Sequence, residues 1–438
     1  MENASKSKQS GTEEVDVFLG AEKVGCLRLT PQSNESIFLY TDKWMATGFA
    51  LSPSLPLTNE IDDASVLAFF QNLLPEGRAF EHLCRLSIIS ENNIIGLVLR
   101  LRDDLSGAVR LALGGENQQQ KSTIRPIAKN ELLLRLTDPD RYPMDVWDGK
   151  PSVFVSGTQP KLNVLGIDGG WALSRDAKLV SDTILKFENQ AYPQLLFNEY
   201  LTTQIAKAIG FEVCKMQYKR LGKYPVLEID RFDRKKSVDE FGQSWVLRRH
   251  TIDGCQALGV ASWMKYEKLE GNLDESCAED GVSYAKLFEL ADYASCKMDF
   301  VINLLDWMIF NVVIGNSDAH GKNISFFVDH RGLSVAPWYD LISVLLIDKV
   351  DHSMGMRVGG ERELEKVGAL QLGNTVREVG LTEKLLIQRM SNLINGLRTI
   401  EFDDLLPEIL TKEEHEFAER YRRFVNRQIL KWENLHWF

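Results

Sequence analysis

Hydrophobic and polar positions alternate with a period of two at the start of the chain and turn to a helical period further on. Over residues 15–58, VDVFLGAEKVGCLRLT predicts a hairpin around Gly20-Ala21-Glu22 and SIFLYTD a further strand, with Pro53 and Pro56 closing the sheet-like part. From Ala64, VLAFFQNLLPEGRAFEHLCRLSI has apolar positions at helical spacing, broken at Pro75-Glu76-Gly77, which predicts two short helices with a turn between them. LVLRLRDDLSGAVRLAL reads as loop and strand. Residues 15–116 are therefore expected to form a small α+β unit behind a polar tail at 1–14 that reads as disordered. The low-complexity stretch NQQQKST opens a linker placed at 117–149, with a short helix at Asn130–Leu136 and a loop-like Tyr142–Lys150.

A second unit, residues 150–233, begins with the strand–turn–strand pattern SVFVSGTQPKLNVLGIDGGWALS, with a tight turn at Asp168-Gly169-Gly170. TILKFE (183–188) is a strand, QLLFNEYLTTQIAKAIG a helix ending at Gly210, and EVCKMQYKRL and YPVLEIDRF two more strands. Helices dominate the rest, residues 234–438. Stripes mark Tyr284–Ala294, Phe300–Ile314 and Glu383–Leu397 behind a Thr382 cap, and a Thr411/Glu414 capping box precedes a long helix, Lys412–Trp432. Leu304–Ile314 taken alone fits a helix or a buried strand. The polar loop GNSDAHGKN follows it, then an apolar strand at Ile324–Val328, a DHRG turn, a strand-like Leu333–Ala336 and Trp338-Tyr339-Asp340.

Composition bounds the possibilities. With 438 residues, 44% of them apolar, the chain can build two or three packed units. It has no apolar run long enough to span a bilayer, and its polar start is not a secretory signal, so a cytoplasmic protein without membrane contact is expected. The six cysteines are scattered without a C-x-x-C pair, and the seven histidines form no ligand-spaced group, which favours reduced thiols over disulfides or zinc. A net charge of −11 excludes DNA binding through the overall field. Local basic groups remain around Arg231 and Arg234–Lys236, and at Arg248-Arg249-His250.

Candidate chemistry centres on the polar loop. Asp318 precedes Asn323 by five residues and Asp340 follows seventeen later, all offered from loops between apolar elements. Protein kinases place a base Asp five residues before a metal-binding Asn, with a second metal-binding Asp on the next hairpin. Asp, Asn, Gly and Ser are also ordinary turn residues, so the loop alone reads as a solvated turn. Upstream, the Ser156-Gly157-Thr158 turn with Lys161 nearby suits phosphate contact or a plain hairpin. Lys186 is an ATP-phosphate lysine or a snorkelling one, and Glu199, thirteen residues on, is its helix-borne partner or a solvated glutamate. Asp230-Arg231-Phe232 is a hinge whose backbone bonds adenine, with Phe232 near the base, or a strand entering a surface loop. The order of these six features is the order a phosphotransferase core requires, and that raises the kinase reading above each feature taken singly.

The chain also resembles a family, the HipA kinases, the toxin half of bacterial HipA–HipB toxin–antitoxin pairs. The resemblance rests on LLPEG at Leu73–Gly77, SGTQPK at Ser156–Lys161, FNEY at Phe197–Tyr200, DRFDR at Asp230–Arg234 and CQALGV at Cys255–Val260, then on KYE at Lys265–Glu267, GNSDAHGKN at Gly315–Asn323 and WYDLIS at Trp338–Ser343. It implies a bilobal, α+β protein-kinase-like fold: a β-rich N-terminal lobe with an extra α+β subdomain, and an all-helical C-terminal lobe. It implies a serine/threonine kinase using ATP and Mg²⁺, with Asp318 as base and Asn323 and Asp340 holding magnesium. Lys186 would contact the phosphates, the Gly157 loop would cover them with Lys161 beside it, and His320 would shape the catalytic loop. The implied partners are a small helix-turn-helix antitoxin of the HipB type, operator DNA reached mainly through it, and an aminoacyl-tRNA synthetase as the substrate whose phosphorylation stops growth. One departure stands out. The family autophosphorylates a serine three residues before the loop glycine, and that position here is Phe154; Ser152 and Ser156 are out of register, with Ser156 the substitute. A catalytically silent pseudokinase co-repressor and a small-molecule kinase on the same core are the competing readings.

Overall fold

The computed structural model describes residues 13–30, 35–58, 60–101, 104–113, 123–144, 146–151, 159–176, 178–189, 191–238, 244–267 and 281–435. Its first unit is a four-stranded antiparallel sheet in the order Glu35–Tyr40, Glu22–Thr30, Glu13–Leu19, Val109–Leu113. One face buries Val15, Val17, Leu27 and Phe38 against the helices Asp63–Gln71, Gly77–Ser87 and Ile94–Arg100. The last helix corrects the reading of Leu97–Arg100 as loop and strand. An uninterrupted apolar run shows no period, and the start is set by the Asn93 side chain, which accepts from Gly96 N–H at 2.9 Å. A short helix at Asp42–Thr47, capped by Thr41, was not expected either.

The second unit is a six-stranded antiparallel sheet, ordered Met216–Leu221, Tyr224–Asp230, Thr183–Phe187, Lys161–Ile167, Gly170–Arg175, Thr123–Pro126. One face buries Leu162, Val164, Leu185 and Phe187 with Leu132 and Trp147; the opposite face forms the roof of a cleft. Part of the expected linker belongs to this sheet: Thr123–Pro126 is its edge strand, and the helix Lys129–Thr137 puts Leu132 into its core. The helix Leu195–Ala208 crosses beneath the roof.

The rest of the chain is dominated by helices, among them Lys297–Ile314, Glu383–Arg398 and Lys412–Glu433, the last starting at the Thr411/Glu414 capping box. Leu304–Ile314 is helical, which closes the helix-or-strand alternative, and nearly every position is buried because the helix runs through the lobe's centre. The lobe expected to be all-helical also carries short antiparallel pairings. Thr251–Asp253, Ser325–Asp329 and Gly332–Val335 make a three-stranded sheet beneath the site, with the central strand SFFVD buried at four of its five positions. The first unit packs on this lobe: its core is continuous with that of the helices, and Gln256 Nε2 donates to Phe69 O (3.1 Å) while Ser52 Oγ donates to Gln256 O (2.8 Å).

The suggested basic patch at Arg231 and Arg234 is not on the surface. Both guanidiniums are buried and bonded to Asp233 and Asp104, and Arg231 also reaches Ser181 Oγ at 2.8 Å. Burial pushes the Asp233 carboxyl up, but the two guanidiniums outweigh it and hold the group below the usual carboxylate range. His250 is buried as well. The described cysteines are free thiols, and among the described residues no helix is long and apolar enough to cross a membrane.

Candidate active site

Alternation along the strand Thr183–Phe187 sends Leu185 and Phe187 into the sheet core and Ile184 and Lys186 to the cleft. Lys186 lies directly across from Lys161 on the neighbouring strand. Its ammonium sits between two carboxylates, 2.7 Å from Glu199 Oε1 and 2.7 Å from Asp340 Oδ1. Burial lowers its pKa, but the two anions raise it further, so the lysine stays charged. Lys161 has a weaker anionic field: burial and the facing Lys186 bring it down to about 7.

Glu199 is held because its helix is held. Asn198 Nδ2 donates to Ser343 O (2.9 Å) and Asn198 Oδ1 accepts from Ser343 N–H (2.9 Å), which clamps the helix to the segment just after Asp340. Phe197 packs against Tyr218 and Phe417. The stretch before Asp340 is fixed as firmly: Trp338 N–H donates to Glu212 O (2.9 Å), Cys214 N–H to Trp338 O (2.8 Å), and the indole to Asn303 Oδ1 (2.8 Å). Asp340 itself is left-handed, with φ 56°, a conformation Asp tolerates better than most residues and one that persists only where its surroundings enforce it. Burial would raise its carboxyl, yet Lys186 beside it and Lys161 hold it down to about 2, and a third of its side chain remains open.

The polar loop starts where the central helix stops. Gly315 is left-handed (φ 82°) and caps the helix through bonds to Asn311 O and Val312 O. Asn316 Nδ2 donates to Asn311 Oδ1 (2.7 Å) and its Oδ1 accepts from Asp318 N–H (3.2 Å), tying the loop to the helix end. Asn323 Nδ2 donates to Asp318 O (3.1 Å), and its Oδ1 has no hydrogen bond among the described residues. His320 Nδ1 accepts from Lys322 N–H (3.2 Å), and burial takes the ring down to about 3, so it is neutral. Gly321 is required: a Cβ there would lie 2.5 Å from Val282. Asp318 is the loop residue open to solvent, and Tyr266 Oη donates to its Oδ1 at 3.0 Å. The surrounding protein and the nearby Asp340 charge push Asp318 up to about 6.

The structure thus brings Lys161, Lys186, Glu199, Asp318, His320, Asn323 and Asp340 together. Asp230 and Phe232 lie at the far end of the same roof; the Phe232 ring is 5.5 Å from Tyr339 and 5.9 Å from Phe327. The Arg231 amide donates to Asp182 O (2.9 Å) and its carbonyl accepts from Arg234 N–H (3.1 Å). Ser156, Gly157 and Thr158, with Ser152 and Phe154, lie outside the described residues.

Several residues gained no role from sequence although they stood inside the quoted motifs. Lys322 Nζ is buried and donates to Asp253 Oδ2 (2.7 Å) and Asn72 Oδ1 (2.8 Å). Lys265 Nζ pairs with Glu76 Oε2 at 2.7 Å, and Gly321 N–H donates to Lys265 O at 2.9 Å. Asn72 and Glu76 belong to the first unit, so that unit reaches the polar loop directly. Glu76 and Lys265 had a signal in the LLPEG and KYE motifs and Asn72 had none, but nothing in one sequence pairs segments 189 and 250 positions apart.

A lysine gripped by a helix glutamate and a loop aspartate, next to an Asp-x-x-x-x-Asn loop under an antiparallel roof, defines a kinase-type phosphotransferase. Similarity to known proteins narrows that class. The HipA-like C-terminal domain matches residues 153–399 and the HipA N-terminal domain residues 15–112. The chain is 33% identical over 412 residues to the serine/threonine-protein kinase toxin HipA of Shewanella oneidensis, covering 93% of each. It is 30% identical over 369 residues to the putative kinase Y4mE of Sinorhizobium fredii, covering 82% of this chain and 84% of that one. A solved complex of HipA, HipB and operator DNA from Shewanella oneidensis superposes with a TM-score of 0.86 at 32% identity, over 96% of this chain and 98% of that one. The chain belongs to the HipA family of serine/threonine-protein kinases.

Proposed function

We propose that the cleft binds ATP with Mg²⁺ and transfers the γ-phosphoryl group to a serine or threonine of a protein substrate. The observation that carries this is Lys186, held 2.7 Å from both Glu199 and Asp340 beside the Asp318–Asn323 loop. Lys186 and Lys161 present the positive charge that phosphates need. Asp318 is the base: it is open to the cleft, and its raised pKa suits accepting a hydroxyl proton near neutral pH. The residues suit magnesium: Asp340 is an ionised carboxylate, Asn323 offers an amide oxygen, and both are hard oxygen donors. Bound there, the ion would neutralise phosphate charge. At the hinge, Asp230 O and the Phe232 amide flank the occupied Arg231 backbone and are the groups offered to adenine, with the Phe232 ring beside it. The Gly157 loop, from Ser156 to Thr158, is proposed to cover the phosphates.

The near full-length superposition on the HipA–HipB–operator complex supports a toxin role with a HipB-like helix-turn-helix antitoxin as partner, and operator DNA bound mainly through it. The acidic net charge and the burial of Arg231 and Arg234 favour that indirect route. An aminoacyl-tRNA synthetase is the proposed substrate on the strength of the family resemblance. A silent co-repressor is disfavoured by the presence of Asp318, Asn323 and Asp340 together. Phosphoproteomics after brief induction tests the reading. Wild type should phosphorylate a protein serine or threonine that Asp318→Ala leaves untouched, and identical phosphorylation in both strains would refute it.

A further inference from the structure

Asn163 is buried, with 5% of its surface exposed, and among the described residues neither its Nδ2 nor its Oδ1 finds a hydrogen-bond partner. A carboxamide buried with both ends unmet destabilises a protein, and the same volume of aliphatic side chain would not. Its position tells what it faces. It lies two residues along the strand from Lys161, so the two side chains share the cleft side of the sheet. Its cross-strand partner is Ile184, which packs in one cluster with Phe232 and Tyr339 at the hinge end. Asn163 therefore hangs from the roof between the two lysines and the hinge. A nucleotide whose phosphates meet Lys161 and Lys186, and whose base meets Phe232, must pass directly below it.

We propose that Asn163 is a nucleoside-recognition residue, its carboxamide completing its hydrogen bonds on a group of the bound nucleotide that carries a donor and an acceptor side by side. Two parts of ATP have that chemistry: the adenine edge bearing the exocyclic amine and a ring nitrogen, and the ribose hydroxyl pair. The inference rests on the nucleotide reading of the cleft. It makes Asn163 a determinant of which nucleotide is used, separate from the groups that hold phosphate and metal.

The test is isothermal titration of the full chain with Mg-ATP and with Mg-tripolyphosphate, on wild type and Asn163→Leu, with Asn163→Ala as a second variant should the leucine disturb folding. Mg-ATP is expected to bind about tenfold more weakly to the variant, the loss of one to two hydrogen bonds. Tripolyphosphate affinity should be unchanged, and the nucleotide-free variant should melt at a higher temperature. Repeating the pair with GTP and 2′-deoxy-ATP locates the contact. A variant penalty that vanishes with GTP assigns the base edge, and one that vanishes with 2′-deoxy-ATP assigns the ribose. Unchanged ATP affinity, or an equal loss for ATP and tripolyphosphate, overturns the proposal. Wild-type protein that binds no ATP would overturn the nucleotide reading itself, a different and recognisable failure.

Discussion

The Tyr266 hydroxyl donates a 3.0 Å hydrogen bond to Asp318 Oδ1, the carboxylate proposed to take the substrate's proton. Tyr266 is held over the loop by its neighbours. The Lys265 carbonyl receives Gly321 N–H, and Glu267 accepts from the Arg357 guanidinium at 2.8 Å. One short segment thus aims a hydroxyl at the base and braces the loop that carries it.

A pH profile follows. Surrounding protein and the Asp340 charge raise Asp318, while the Tyr266 bond lowers it, for a net value of about 6. A base works only when ionised, so kcat/KM should fall on the acid side through about pH 6. Tyr266→Phe removes a bond to the ionised form and should move that limb upward. A limb that stays put in the variant would show that the bond does not tune the base.

Asp318→Asn keeps the shape of the side chain and removes its basicity. Phosphoryl transfer measured with labelled ATP should drop by roughly 10²–10⁴-fold, the usual share of a general base, with ATP binding retained. Asp340→Asn should instead weaken magnesium-dependent nucleotide binding, since it removes the ionised oxygen donor.

Glu199 is fully buried, and the ammonium it contacts is that of Lys186. Lys186→Met therefore strands a buried carboxylate and should destabilise the fold by about 3–5 kcal/mol in chemical denaturation. The double variant Lys186→Met/Glu199→Leu should regain most of that loss, because breaking a buried pair is worse than replacing it. A single variant as stable as wild type would mean the carboxylate finds relief elsewhere.

The first unit should matter to catalysis. Asn72 accepts from Lys322 Nζ at 2.8 Å, and Lys322 is one residue from Asn323. Asn72→Ala should lower kcat about tenfold through a displaced loop, since losing a bond to a charged group is worth roughly that factor. KM for ATP should change little, and the folded fraction measured by circular dichroism should match wild type; a drop in kcat that tracks a loss of folded protein would overturn the prediction.

Much of the fold was legible because local rules decide it. The Thr411/Glu414 capping box started the last helix where the pattern said, and Thr382 did the same for its neighbour. Period-two alternation marked the hairpins and the strand that carries Lys186, while the sheet register decided that its side chain faces the cleft. Where periodicity is silent the sequence says less: Leu97–Arg100, the end of a largely apolar helix, reads as loop and strand, and Thr123–Pro126 reads as linker although it is the edge strand of a sheet.

Asp318, Asn323, Asp340, Lys186 and Glu199 could be picked from sequence because the chemistry dictates residue types and their order along the chain. That Lys186 touches both Glu199 and Asp340, that Asn72 and Glu76 reach the polar loop, and that Asn163 is buried with no hydrogen-bond partner among the described residues were settled only by tertiary structure. Residue order is a property of the chain. Contact between segments far apart in it, and the removal of water from a side chain, exist only once sheet, helix and loop have closed on one another.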